Sequence, residues 1–221
     1  MDRAVIFDMD GVLVDSFAPH RDSWLRAARE AGVEMTPEQF ATTFGRTSRE
    51  IIRRFWGDGL DDDAMRAIDD HKEALYRDMV RDDFPTMDGA VELIDALRDA
   101  GFRIAIGSSG PPENIELSVE CLDRADCFEA VVTGYDVTHG KPNPEVFRLA
   151  GERLGVPKER CVVIEDAVAG VAAANAAGMA SIALTGTTTR DALASASLVV
   201  DSLRELSPAA ISALLGDGAP A

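Results

Sequence analysis

Residues 88–107 read DGAVELIDALRDAGFRIAIG, and they carry the pattern that decides the fold. Apolar side chains recur at helical spacing from Ala90 to Leu97, and this pattern stops at Gly101. Residues 104–106 then form a short, continuous apolar run. Strands that are buried on both faces of a parallel sheet have this composition. The stretch therefore predicts a helix followed by a buried strand.

The same alternation extends outward from this stretch in both directions. Helical spacing recurs at 146–154 and at 168–176, and helical patterns separate most of the apolar runs. Six runs read as strands: Ala4–Phe7, 104–106, 130–133, 162–164, 181–184 and 198–200. Strands that alternate with helices predict an α/β fold, a doubly wound, Rossmann-like domain with a parallel sheet.

Residues 17–83 interrupt this alternation, because they contain no convincing strand pattern. Helical spacing is present instead in three segments, at 24–28, 51–56 and 65–79. An all-helical block between the first strand and the rest of the sheet is best explained as an inserted cap. We therefore expect an α/β catalytic core at 1–15 and 86–221 and a helical cap at 16–85.

The composition excludes several classes of function. The 221 residues are 46% hydrophobic, enough for an ordinary core, and 22 Lys and Arg against 39 Asp and Glu give a formal net charge of −17. We expect neither a nucleic-acid nor a membrane partner, because both demand a basic surface. No apolar run approaches the ~20 residues that span a bilayer. The spacing of the three cysteines, Cys121, Cys127 and Cys161, fits neither a zinc site nor a redox pair. We therefore expect reduced thiols in a cytoplasmic protein. We also expect the protein to be a monomer.

Two carboxylates follow the first predicted strand immediately, in the segment Asp8-Met9-Asp10-Gly11. If the strand continued, Asp8 and Asp10 would share one face, in the crevice beyond the carboxyl end of the strand where open α/β sheets bind ligands. The alternative is a simple strand-ending turn, because Asp-Gly pairs often mark turns. A buried carboxylate is costly unless a positive group lies near it.

Three other strands end in polar residues. Ser108 and Ser109 follow the second strand, and they could cradle an oxyanion or cap a helix. Lys141 follows the third strand, although an isolated lysine is usually a surface residue. Glu165 and Asp166 follow the fourth strand, where two acids could also complement a helix dipole. Taken together, carboxylates for a hard divalent ion, a lysine and N–H donors predict a site for a phosphate group.

These motifs resemble those of the haloacid dehalogenase superfamily, in the branch of β-phosphoglucomutase and small sugar-phosphate phosphatases. The matching segments are Asp8-Met9-Asp10-Gly11-Val12, Ser108, Lys141-Pro142 and Glu165-Asp166, and the helical block lies at the family's cap position. The resemblance implies that Asp8 attacks phosphorus and becomes a phosphoaspartate, and that Asp10 acts as general acid and base. It implies that Ser108 and Lys141 hold phosphoryl oxygens.

The resemblance also implies a Mg²⁺ ion and a set of substrate contacts. The metal ligands would be Asp8, the Asp10 carbonyl and Asp166, with Glu165 as a ligand or an outer partner. The expected substrate-binding residues are His20, Trp24, Gly45, Arg49, Lys72, Ser109 and Asn114. Each has a plainer alternative: His20 could be a capping or surface residue, Trp24 a core residue, and Arg49 a solvated one. The segment from Gly45 has one residue more before its Ser-Arg pair than the mutase pattern, which favours the phosphatases.

We therefore predict a Mg²⁺-dependent phosphatase of a small phosphorylated metabolite, a sugar phosphate, acting through an aspartyl-phosphate. A sugar phosphomutase similar to β-phosphoglucomutase is the alternative, and it differs only in the acceptor of the phosphoryl group. A non-catalytic binding relative and a dehalogenase are more remote possibilities, and the second acid Asp10 argues against dehalogenation.

Overall fold

The computed structural model describes residues 2–43 and 46–216. Six strands in these residues form one sheet in the order β3-β2-β1-β4-β5-β6, and every neighbouring pair is parallel. The strands are β1 (Ala4–Phe7), β2 (Arg103–Gly107), β3 (Ala130–Val132), β4 (Cys161–Glu165), β5 (Ala180–Leu184) and β6 (Leu198–Val200). The predicted α/β fold, with a doubly wound parallel sheet and all six strands, is confirmed.

Nine α-helices lie within the same described ranges. They are α1 (Phe17–Glu30), α2 (Pro37–Ala41), α3 (Ser48–Trp56), α4 (Asp62–Arg81), α5 (Ala90–Asp99), α6 (Pro112–Leu122), α7 (Glu145–Leu154), α8 (Val168–Ala176) and α9 (Pro208–Leu214). Short 3₁₀ turns occupy Ala125–Cys127, Lys158–Arg160 and Leu203–Glu205. No helix in the part of the chain that the structure describes is long and apolar enough to cross a membrane.

The sequence analysis missed α2, although its start carries a clear signal. The Thr36 hydroxyl accepts from the Gln39 backbone N–H, and the Gln39 side chain accepts in turn from the Thr36 N–H. This reciprocal capping box, with Pro37 as the first helical residue, is a known helix-initiation pattern. Hydrophobic periodicity does not reveal this helix, because its five residues span little more than one helical turn.

The centre of the sheet is the most buried part of the fold. Every residue of β1 is fully buried, because β2 and β4 flank the strand and helices cover the sheet. The register aligns Phe7 with Ile106 of β2 and with Ile164 of β4. The residues that follow these three positions therefore emerge together at the carboxyl edge of the sheet.

The chain divides into two compact units. One consists of the residues up to Asp15 and those from Thr86 onward, and it contains the sheet. The other is Ser16–Pro85, which holds α1 to α4. The smaller unit has a hydrophobic core of its own, formed by the buried side chains of Trp24, Phe40, Ile51, Ile52 and Met65.

Candidate active site

The first acidic motif lies where β1 meets the carboxyl edge of the sheet. The Asp8 backbone N–H donates to Ile164 O (2.9 Å), which continues the pairing with β4 one residue beyond the strand. Gly11, at φ +76°, then reverses the chain, and its N–H donates to Val14 O (2.8 Å). β1 ends at Phe7, so Asp10 lies in this turn, as the strand-ending alternative describes, and not on a continuing strand.

Lys141 connects two carboxylates that are distant in sequence. Its Nζ donates to Asp8 Oδ1 (2.8 Å) and to Glu165 Oε1 (2.7 Å). The side chain is only 9% exposed, and Nζ lies 4.7 Å from the centre of the Phe147 ring. The ammonium is thus held by two anions and one aromatic face, so it is not the surface lysine that the plainer alternative describes.

Glu165 uses both of its carboxylate oxygens. Oε1 accepts from Lys141, while Oε2 accepts from the backbone N–H groups of Asp166 (2.7 Å) and Ala167 (2.6 Å). Gly170 makes room for this carboxylate, because a Cβ there would overlap it. The arrangement favours Glu165 as an outer partner that orients Lys141 over a role as a primary metal ligand.

Oxygen atoms of Asp8, Glu165 and Asp166 lie within 4.8 Å of one another, and all three residues are buried. Three carboxylates and one ammonium leave two negative charges uncompensated. Burial raises the pKa of Asp8 to about 7, with Lys141 opposing this rise and Glu165 adding to it. Burial likewise raises the pKa of Asp166, and repulsion from Glu165 adds to it. A hard divalent cation with oxygen ligands would balance these charges, so the residues fit the Mg²⁺ that the resemblance implies.

The charges around Lys141 also keep its side chain protonated. Burial lowers the pKa of this ammonium, but the facing charges of Asp8 and Glu165 outweigh burial and raise it. Lys141 therefore stays charged at every physiological pH. It is a permanent cation beside Asp8.

Ser108 begins the turn after β2. Its N–H donates to Val132 O (3.0 Å), and its buried hydroxyl accepts from Gly110 N–H (3.1 Å). A Cβ at Gly110 would lie 3.4 Å from Ser108 Oγ and 3.9 Å from Asp10 Oδ2, so Gly110 lies close to both side chains. Neither Ser108 nor Ser109 caps α6, because Pro111 occupies the N-cap position. The helix-cap alternative was wrong.

The other two predicted contacts in the larger unit differ in burial. Ser109 is exposed, and Asn114 is buried in the first turn of α6. The sequence analysis did not single out Gly134 or Gly170, although both allow a close approach: a Cβ at Gly134 would overlap the Ser109 carbonyl oxygen, and one at Gly170 would overlap the Glu165 carboxylate. A glycine next to a polar motif is the signal that could have found them.

Three of the expected substrate contacts form a second cluster within the smaller unit. Lys72 is buried, and its Nζ lies 2.8 Å from His20 Nδ1 and 2.7 Å from Glu73 Oε1. The His20 ring stacks on Tyr76 at 4.2 Å between ring centres. His20 lies inside α1, so it does not cap the helix. Trp24 is 3% exposed and belongs to the hydrophobic core of the unit, with its ring centre 5.5 Å from Lys72 Nζ.

Arg49 lies elsewhere in the smaller unit. Arg49 is exposed and pairs with Asp62 at the start of α4, which agrees with the solvated alternative. Gly45 lies outside the described residues. All three cysteines are free thiols, as expected.

Known proteins are similar to this chain in sequence and in fold. Residues 3–178 match the family model of haloacid dehalogenase-like hydrolases. Validoxylamine A 7'-phosphate phosphatase of Streptomyces hygroscopicus subsp. limoneus is 30% identical over 93% of this chain and 96% of its own. Hexitol phosphatase A of Escherichia coli strain K12 is 31% identical, covering 92% and 93%.

A solved structure of the same family has a similar fold. The family IA, variant 3 haloacid dehalogenase hydrolase of Entamoeba histolytica superposes with a TM-score of 0.89 at 25% identity, covering 98% of this chain and 100% of the other. The resemblance stated from the motifs is thereby confirmed. The chain is an enzyme and belongs to the haloacid dehalogenase-like hydrolases.

Proposed function

We propose that this protein is a Mg²⁺-dependent phosphatase that hydrolyses a small phosphorylated metabolite, a sugar phosphate, through an aspartyl-phosphate. The observation that carries the proposal is the buried ammonium of Lys141 bound to Asp8, within a cluster of carboxylates at the carboxyl edge of the sheet. The phosphatase names of two relatives that match nearly the whole chain support the same reaction.

Asp8 would be the nucleophile. Its carboxylate attacks phosphorus and the ester oxygen leaves, which transfers the phosphoryl group to Asp8. Two anions must approach for this step, and at ~4 Å a bare pair of like charges costs about 4 kcal/mol at an effective dielectric constant of about 20. Lys141 offsets this repulsion because it stays protonated beside Asp8 Oδ1.

Asp10 would move the protons. It protonates the leaving oxygen in the first half of the reaction and takes a proton from the attacking water in the second. Its position in the turn after Asp8 supports this role, because its charge is one of the causes that raise the pKa of Asp8. Ser108 and Lys141 would hold phosphoryl oxygens as negative charge builds up on them.

A Mg²⁺ ion would be held by Asp8, the Asp10 carbonyl and Asp166, and when bound it supplies positive charge that stabilises the transferring phosphoryl group. Glu165 would support the site from outside, because its two oxygens hold Lys141 and two backbone N–H groups.

We further propose that the unit Ser16–Pro85 is the cap that selects the substrate, with the Lys72 and His20 cluster contacting it, and that Ser109 and Asn114 contribute from the larger unit. Burying a lysine costs free energy even when it is paired with a histidine and a glutamate, and the packing of a hydrophobic core does not require such a group. Replacement of Lys72 by Met should raise KM for the natural substrate more than for p-nitrophenyl phosphate, whereas Lys158→Met in the larger unit should change neither.

The proposal is tested by measuring phosphate release from a panel of phosphorylated metabolites, with Mg²⁺ and with EDTA. Asp8→Asn should abolish turnover, and Asp99→Asn, at an exposed position on α5, should leave it unchanged. Acid-quenched wild type should carry one additional phosphoryl mass that the Asp8 variant lacks. Phosphate release by the Asp8 variant at the wild-type rate would remove the nucleophile from the mechanism.

A phosphomutase would share the first half of this reaction and pass the phosphoryl group to a sugar hydroxyl. Incubation with glucose 1-phosphate, with and without a trace of the bisphosphate, separates the two. Inorganic phosphate is expected. Glucose 6-phosphate without inorganic phosphate would reject the phosphatase in favour of the mutase.

A further inference from the structure

The loop that follows β5 brings a hydroxyl group to Asp166. Thr187 Oγ1 donates to the Asp166 carbonyl oxygen at 3.0 Å. Thr187 lies 21 residues beyond Asp166 in the chain, so only the path of this loop makes the contact.

The loop is anchored before it reaches Asp166. The Thr185 N–H donates to Val200 O (2.9 Å), and the Thr185 hydroxyl donates to Asp201 Oδ1 (2.7 Å). Gly186 follows with φ +138°, a conformation that residues with a side chain rarely adopt. Because β5 lies beside β4, the residue after this turn reaches the end of β4, where Asp166 lies.

Thr187 completes the fixation of the Asp166 main chain. On one side the Asp166 N–H donates to Glu165 Oε2 (2.7 Å), and on the other the Asp166 carbonyl accepts from Thr187. The Asp166 carboxylate itself packs against Gly11, where a Cβ would overlap Oδ2. Contacts with Glu165, Thr187 and Gly11 therefore fix the position of Asp166. Its carboxylate lies in the acidic cluster with Asp8 and Glu165.

We propose that Thr187 is a positioning residue for the divalent cation site, which holds Asp166 in the geometry that the cation requires. This inference rests on the proposed function, because it assumes that Asp166 is a metal ligand. Groups that orient a ligand from outside the coordination sphere typically change metal affinity by about 10–100-fold when they are removed. The sequence analysis did not identify Thr187, because it lies in a loop among four threonines within five residues.

The test is Mg²⁺ binding to the purified full chain, measured by isothermal titration calorimetry in the absence of substrate. Thr187→Val removes the hydroxyl and keeps the shape, so we expect Kd for Mg²⁺ to rise about tenfold. Thr187→Ser keeps the hydroxyl, so Kd should stay within about twofold of the wild type, well below the loss expected for Thr187→Val. Thr189→Val removes a hydroxyl from the same loop that accepts from the Ala192 N–H instead, and it should leave Kd unchanged.

A kinetic measurement supplies a second readout. For Thr187→Val, the Mg²⁺ concentration that gives half-maximal phosphate release should rise by the same factor as Kd, while kcat at saturating Mg²⁺ returns to near the wild-type value. A general structural defect would lower kcat at every Mg²⁺ concentration, and that result would overturn the inference. So would a Kd for Thr187→Val equal to that of the wild type.

Asp166→Asn separates this inference from the proposed function. If the wild type binds Mg²⁺ and Asp166→Asn does not, but Thr187→Val binds normally, only the role of Thr187 is refuted. If the wild type binds no Mg²⁺, or Asp166→Asn binds as tightly as the wild type, the metal site itself is refuted and the Thr187 inference falls with it.

Discussion

Replacing Asp8 by Asn should inactivate the enzyme and, in the absence of metal, stabilise the fold. Asp8 is a buried carboxyl whose pKa is raised from 3.8 to about 7 by burial, with further repulsion from Glu165. In the unfolded chain this carboxyl ionises near its ordinary pKa, so ionisation favours the unfolded state between these two values. The stability contributed by the neutral carboxyl is therefore present at low pH and is lost as the pH rises towards 7.

The size of the effect follows from the pKa. A rise from 3.8 to about 7 corresponds to about 4 kcal/mol at 1.36 kcal/mol per pK unit. Burying the new amide beside Lys141 costs about 2 kcal/mol, because the amide makes poorer hydrogen bonds than the carboxylate did. A net gain of about 2 kcal/mol remains above pH 7, which raises Tm by about 4–8 °C for a chain of this length.

The assay is thermal unfolding, followed by circular dichroism, of the wild type and Asp8→Asn in EDTA at several pH values from 5 to 8. The advantage of the variant should grow with pH up to about 7 and then level off. Adding Mg²⁺ should stabilise the wild type and reverse the order, because the cation compensates the charge that the variant lacks. A wild type that is as stable as the variant at pH 8 in EDTA would refute this account of the charge imbalance.

Three further substitutions test the contacts around the lysine. Lys141→Met leaves two buried carboxylates without their cation, so we expect a loss of at least 100-fold in kcat and a free energy of unfolding lower by about 3 kcal/mol in urea titrations. Phe147→Leu removes the aromatic face below the ammonium; a double-mutant cycle with Lys141→Met should give a coupling of about 1 kcal/mol, and a coupling of zero would contradict the contact. Gly170→Ala places a Cβ against the Glu165 carboxylate, so it should lower the free energy of unfolding by about 1–3 kcal/mol and slow phosphate release. In the control Gly59→Ala the new Cβ meets open space, and neither quantity should change.

Much of the larger unit could be predicted because its signals are local. Each strand is a short apolar run and each helix a periodic one, so neither requires knowledge of the rest of the chain. Parallel strands place their carboxyl ends at one edge of a sheet, so the order of Asp8, Ser108, Lys141 and Asp166 along the chain already indicated where polar residues would meet.

Local reasoning failed where a contact depends on how a turn bends. The sequence left open whether Asp8 and Asp10 share a face of a continuing strand or lie in a turn, and the structure shows that β1 ends at Phe7 and that Gly11 reverses the chain. The sequence likewise left open whether Ser108 cradles an oxyanion or caps a helix, and the structure shows that it does not cap α6, because its hydroxyl accepts from Gly110 inside its own turn. In both places the sequence identified the polar residue, and only the path of the turn decided which groups lie next to it.

What the sequence determined by itself was the class of fold, the six strands and the residue types available for chemistry. Only the tertiary structure decided that Lys141 binds Asp8 across 133 positions of the chain. The same holds for the two carboxylate oxygens of Glu165, which accept hydrogen bonds from Lys141 and from the Asp166 N–H, and for the contact of Thr187 with Asp166. The physical reason is that periodicity reports which side of an element is buried, whereas pairing between distant side chains depends on strand register and loop path. Those two properties are set by the packing of the whole sheet and its helices.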